Sequence, residues 1–192
     1  MHSHFYAMLF RMRYIERWGL MHNTRPENLS EHTLDVAILT HALCTLGNAR
    51  FGRSYDCGQA VLLALYHDCS EILTGDLPTP VKYYNPEIRD AYREVETVSA
   101  RRLLSMLPDA LRPASEPLLL EDPESGYHAV VKAADKLSAY IKCVEELKAG
   151  NSEFRQAAEQ TRQALEASPL PEVGYFLEHF MPGFELTLDE LR

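Results

Sequence analysis

An all-α fold is predicted by three features of this 192-residue sequence. Strand signals are nearly absent, with no sustained alternation of Val, Ile, Thr or aromatic residues. Apolar residues recur instead at helical spacing, as at Val130, Val131, Ala134, Leu137, Ile141 and Val144. Helix punctuation is plentiful, from Asn28 three positions ahead of Glu31 to the Asn85-Pro86 pair. A chain of this length supports one core, so a single domain over residues 1–192 is expected.

Taken in order, Phe5, Met8, Leu9, Met12 and Ile15 predict a first amphipathic helix, ending near Arg17-Trp18-Gly19-Leu20. The polar run from His22 to Glu27 reads as loop. Asn28 and Glu31 then form a capping-box pattern, opening a second helix that carries Leu34, Ala37, Ile38, His41 and Ala42 and stops at Gly47. His32 falls in its first turn. After a loop over 48–58 comes Val61-Leu62-Leu63-Ala64-Leu65, an apolar block expected to be buried on every side as a helix. That helix is expected to carry on through His67, Asp68 and Glu71 to a stop at Gly75, with His67 and Glu71 (i, i+4) on one face. Asp76-Leu77-Pro78-Thr79-Pro80 reads as a stiff loop returning over the same end.

Asn85-Pro86 starts a long fourth helix that ends before Pro108, half apolar through Ile88, Ala91, Tyr92, Val95, Val98 and Leu103. A short helix over 109–120 and a loop from Asp122 to Gly126 follow. Tyr127 to Ala149 is a core helix closed by Gly150, with Asp135 set among its apolar positions. Segments 152–167 and 172–181 complete the helices, and Thr187–Arg192 reads as a closing turn.

Composition narrows the function classes. A formal net charge of −9 argues against a nucleic acid polymer as partner, while leaving room for a small anion held by one or two cations. No stretch approaches 18 uninterrupted apolar residues and no signal peptide is read at Met1-His2-Ser3-His4, so neither membrane nor export is expected. Cys44, Cys57, Cys69 and Cys143 are scattered without a CxxC pair, which suits reduced thiols in a cytoplasmic protein.

His32, His67, Asp68 and Asp135 stand out as potential ligands on separate segments. Burying such groups without partners costs several kcal/mol, and a divalent metal would compensate them. Two imidazoles with two carboxylates suit Mn, Fe, Co, Ni or Zn better than Ca or an iron–sulfur centre. Each residue alone has a plain structural reading. Asp135 fits the wet edge of a core helix, Arg17 a solvated helix end, and Trp18 the core.

The combination is more specific. The H…HD…D order, with Arg17-Trp18, NLSEHTLDVA (28–37), LYHDCSEILTGDLPTPVKY (65–83) and KAADKLSAYIKCVEEL (132–147), resembles the bacterial HD-domain 5′-deoxynucleotidase family of metal-dependent phosphohydrolases. The resemblance covers nearly the whole chain. It implies a single HD-domain helical bundle, a homodimer, and hydrolysis of deoxyribonucleoside 5′-monophosphates to deoxyribonucleoside and phosphate. It also implies one divalent ion, from among Co, Mn, Ni, Zn or Cu, on His32, His67, Asp68 and Asp135. The substrate-binding positions it implies are Arg17, Trp18, Asp68, Asp76, Leu77, Pro78, Thr79 and Asp135.

Roles follow from chemistry. Arg17 offers a planar fork for phosphate oxygens. Glu71 and Asp76 are the carboxylates available for proton transfer, with their division of labour left open. Trp18 is the expected wall at the sugar 2′ position. Two competing readings remain at this level. One is a phosphodiesterase or triphosphohydrolase of the same type, disfavoured because Arg17, Lys82 and Arg25 are the only cations in view. The other is a non-catalytic helical dimerisation module that uses the metal as a staple, disfavoured by the spare carboxylates Glu71 and Asp76.

Overall fold

A computed structural model describes residues 2–82, 84–120 and 122–191. Tyr83, which ends the 65–83 stretch, and Arg192, which ends the expected closing turn, lie outside the described residues. The structure is 70% helical, and among the described residues its only β feature is one antiparallel bridge between Glu16 and Asn28.

The chain divides into two compact units. The first comprises Met1–Leu20, Pro26–Leu34 and Leu65–Glu124. It opens with α1 (Phe5–Leu9), which tightens into a 3₁₀ turn over Phe10–Tyr14 in place of one continuous helix. It also holds the first turns of α2 (Leu29–Arg50) and the short helices α4 (Glu71–Thr74) and α5 (Thr79–Lys82). The long α6 (Pro86–Ser105) and then α7 (Arg112–Leu119) complete it. Asn85 caps α6, its Oδ1 accepting from Ile88 N at 2.7 Å, as the Asn-Pro signal predicts. Phe5, Met12, Leu29, Cys69, Ile72, Leu103, Leu104 and Leu107 form the core, so α1, the α4 region and α6 share one apolar centre.

The second unit comprises Met21–Arg25, Asp35–Ala64 and Ser125–Arg192. It contains the rest of α2, most of α3 (Cys57–Tyr66), α8 (His128–Lys148), α9 (Arg155–Glu166) and α10 (Pro171–His179). Helix α9 packs on α8 and on α10. Leu43, Val130, Leu137 and Phe154 are wholly buried.

Four further local expectations change. Helix α2 runs through Gly47 to Arg50, and the left-handed residue after its end is Gly52 at φ 65°. Gly47 serves close packing instead. A Cβ there would lie 2.9 Å from Tyr55 Cε2 and 3.0 Å from Arg53 Cγ. Helix α3 is not buried all round, since it buries Ala60 and Ala64 while Leu62 and Leu65 face outward. It also ends at Tyr66. His67 to Ser70 form a tight turn held by i→i+3 bonds, Cys69 N to Tyr66 O at 3.1 Å and Glu71 N to Asp68 O at 3.0 Å. Finally, the loop after Gly75 is shorter than expected, because Thr79 to Lys82 coil into α5.

Candidate metal centre and active site

Main-chain pairing brings the first site residues together. Leu29 N donates to Ile15 O and Arg17 N to Glu27 O, both at 2.9 Å, so the strip after the 3₁₀ turn lies beside the start of α2. Asn28 caps that start, its Oδ1 accepting from Ser30 N at 3.0 Å and Glu31 N at 3.1 Å. His32 follows within the first turn and is fully buried.

The turn after α3 presents His67 and Asp68 to the same place. Asp68 Oδ2 lies 3.0 Å from His67 Nε2 and 3.5 Å from His32 Nε2, and the two imidazole centroids are 5.5 Å apart. His32 turns its other nitrogen, Nδ1, toward Glu27 Oε1 at 3.4 Å. This is the arrangement in which a carboxylate fixes the imidazole tautomer and leaves Nε2 for a metal. Burial raises the Asp68 carboxyl, but the imidazoles of His67 and His32 outweigh it and hold the group well below the usual carboxylate range.

Asp135 belongs to the second unit, half-buried on α8. Within the first unit, His32, His67 and Asp68 form a group of side chains that could hold a metal ion. Imidazole and carboxylate donors of this kind fit a divalent transition metal.

Around these candidate ligands stand other residues expected from the sequence. The half-buried Arg17 places Nη1 3.7 Å from Asp68 Oδ2 and 3.8 Å from Asp76 Oδ1. Trp18 donates its indole N–H to Glu27 Oε2 at 2.9 Å and adopts φ 59°, a left-handed backbone unusual for a bulky residue. Asp76 sits just after Gly75, whose φ of 76° turns the chain out of α4 and whose carbonyl accepts from Tyr92 OH at 3.3 Å. Burial pushes the Asp76 carboxyl up; Arg17 opposes this and Asp68 adds to it. Leu77 and Pro78 are half-buried and Thr79 is exposed at the start of α5.

Glu71 is almost wholly buried at the first position of α4, and its Oε2 has no hydrogen-bond partner among the described residues. Burial first, then the Asp68 and Asp76 carboxylates, push its carboxyl up to about 9, and a cation on the neighbouring ligands would draw it back down. Lys82, read from the sequence as a cation near the site, is engaged by Glu96 at 2.7 Å and lies over the Tyr92 ring.

The residue that sequence reasoning missed is Glu27. Burial raises its carboxyl, yet His32, Arg17 and Trp18 together hold it below the usual range. No local pattern marks it, because its partners Arg17 and Trp18 meet it only through the Glu16–Asn28 bridge register.

A family model described as 5′-deoxynucleotidase YfbR-like matches residues 4–184. The chain belongs to this family. A relative from Shewanella oneidensis named 5′-deoxynucleotidase is 48% identical, covering 99% of this chain and 98% of its own length. Another of the same name from Vibrio cholerae is 50% identical, with 98% of each chain covered. Among solved structures, an HD-domain phosphohydrolase from Listeria innocua superposes with a TM-score of 0.83 at 24% identity, over 94% of this chain and 87% of that one, which speaks for the helical fold. The cyanophage S-2L HD phosphohydrolase DatZ, solved bound to dA and one catalytic Zn²⁺, matches with a TM-score of 0.60 at 26% identity over 93% of each chain.

Proposed function

We propose that this chain hydrolyses deoxyribonucleoside 5′-monophosphates to deoxyribonucleoside and phosphate, as a metal-dependent 5′-deoxynucleotidase. Whole-length relatives of that name support the activity, and DatZ offers a neighbour holding a deoxynucleoside beside zinc. The observation that carries it is the convergence of His32, His67 and Asp68 with Arg17 directly alongside.

The ligand set is His32, His67, Asp68 and Asp135, and a divalent ion bound there supplies Lewis acidity and a nucleophile usable near neutral pH. Zinc in DatZ supports zinc here, with Co, Mn, Ni and Cu as the other ions to compare. Arg17 holds the phosphate oxygens, its charge already drawn toward Asp68 and Asp76. Glu71 takes the proton from the attacking water, and Asp76 either donates to the departing 5′ oxygen or binds the sugar. The 77–79 segment closes over the sugar, and Trp18 crowds the 2′ position.

We further infer one catalytic HD domain over residues 1–192. The family match across 4–184 supports it, as do helices α2 and α3, each of which contributes residues to both units. Exposed Ile88, Val95 and Val98 on α6 favour a homodimer, which sedimentation would report. No described helix is long and apolar enough to cross a membrane, and the four free cysteines favour a cytoplasmic location.

The test is phosphate release from mono-, di- and triphosphates of both sugar types, using wild type and Trp18→Ala. Release confined to deoxyribonucleoside monophosphates is expected, with Trp18→Ala narrowing a sugar preference of up to about 100-fold. Equal loss on both sugars would remove Trp18 from the 2′ role. Preferential release from triphosphates would replace the monophosphate reading.

A further inference from the structure

Glu27 is buried, and its two carboxylate oxygens face side chains of three residues around the site. Oε2 accepts the Trp18 indole N–H at 2.9 Å, while Oε1 lies 3.4 Å from Arg17 Nε and 3.4 Å from His32 Nδ1. Its carbonyl accepts Arg17 N at 2.9 Å, so the main chain fixes this segment's register before the side chains engage. Trp18 is held at φ 59°, a conformation that persists in a bulky residue only where the surroundings over-determine it.

We propose that Glu27 is a positioning residue for the reaction, in which one carboxylate retains the His32 Nδ1 proton, leaving Nε2 to ligate, and at the same time aims Arg17 and Trp18. The proposal rests on the phosphatase reading for what Arg17 and Trp18 are aimed at, and on geometry alone for the aiming. The His32 ring is constrained from both sides, with Nδ1 toward Glu27 and Nε2 toward the Asp68 oxygen that His67 also faces. Carboxylates that back a ligating imidazole typically hold 10- to 100-fold of metal affinity. Here the same group also ties down the phosphate-binding cation and the proposed sugar wall. Loss of Glu27 therefore disturbs metal, phosphate and sugar recognition together.

The near-isosteric Glu27→Gln tests this, because one amide oxygen cannot serve all three donors. Titrating metal-free protein with Co²⁺ and following its visible absorption, we expect affinity to fall about 10- to 100-fold. Emission from Trp18, the single tryptophan, should shift to the red even without metal. On deoxyadenosine 5′-monophosphate at saturating Co²⁺, KM should rise as Arg17 loses its brace. Unchanged Co²⁺ affinity and unchanged emission, with only a lower melting temperature, would reduce Glu27 to a structural group and overturn the proposal. Should the variant not fold, ¹⁵N-histidine NMR of Zn²⁺-loaded wild type decides. A protonated Nδ1 on His32 is expected, and ligation through Nδ1 overturns the proposal. Wild type that binds metal but releases no phosphate would sink the phosphatase reading, while the affinity and emission results would still judge Glu27.

Discussion

Two buried glutamates, one in each compact unit, show how the same side chain serves opposite ends. Glu146 on α8 is nearly inaccessible and accepts from Thr24 N at 3.0 Å, Thr24 Oγ1 at 2.7 Å, Arg25 N at 3.2 Å and Asn151 Nδ2 at 2.9 Å, besides a short contact with Lys142. Burial raises its carboxyl, but these donors, Lys142 first, hold it far below the usual range. Glu71 is buried to a similar degree with Oε2 lacking a partner, and its carboxyl rises to about 9. A satisfied buried carboxylate fastens segments together. One left partly unsatisfied, facing other carboxylates, is a group of the kind proposed above to exchange a proton.

Substitution at each separates the two roles, beginning with the largest effect. Glu71→Gln should lower kcat by roughly 10²- to 10⁴-fold, the range for a lost general base, with little change in melting temperature or bound metal. Glu146→Ala should do the reverse, leaving turnover per folded molecule near wild type. It strands the buried Lys142, so chemical denaturation should show a loss of about 3–5 kcal/mol. If Glu71→Gln unfolds the protein while Glu146→Ala abolishes turnover, the assignment is inverted.

Acidity sharpens the contrast because the two shifts have opposite signs. Glu146 is depressed from an ordinary value of 4.5, so its stabilisation is present above that pH and fades as pH falls below it. Glu71 in metal-free protein is raised, so the folded state holds a proton that the unfolded state has released. Its contribution is full below about 4.5 and is lost as pH climbs toward about 9. Melting curves of metal-free protein should therefore fall less steeply between these limits in Glu71→Gln than in wild type. The smallest effect concerns the two asparagine caps. Asn28→Ala and Asn85→Ala should each cost about 1 kcal/mol in thermal unfolding. Asn28→Ala alone should also weaken metal binding, since His32 sits in the turn it caps.

The helical class, both asparagine caps and the span of α8 were legible because each is written locally, in periodicity or in a cap three residues from its partner. The meeting of His32, His67 and Asp68 was legible too, through their order and surrounding words. The break between α3 and α4 was not legible. Nothing between Tyr66 and Glu71 forbids a helix, and the turn there follows from tertiary placement of His67 and Asp68. Gly47 misled for the same reason, its lack of a side chain serving Tyr55 and Arg53 instead of a helix end. Glu27 stayed hidden because its partners Arg17 and Trp18 lie ten and nine positions away across a main-chain bridge.

The decisive measurement is metal content and phosphate release measured together on protein stripped with chelator and then rebuilt with single divalent ions. One ion per chain, with release from a deoxyribonucleoside 5′-monophosphate absent when stripped and restored on rebuilding, is the expected result, and both should fail together in Asp68→Asn. Full release from thoroughly stripped protein, or no ion bound by a chain that still hydrolyses, would show that the paired imidazoles and carboxylates are not the seat of the chemistry.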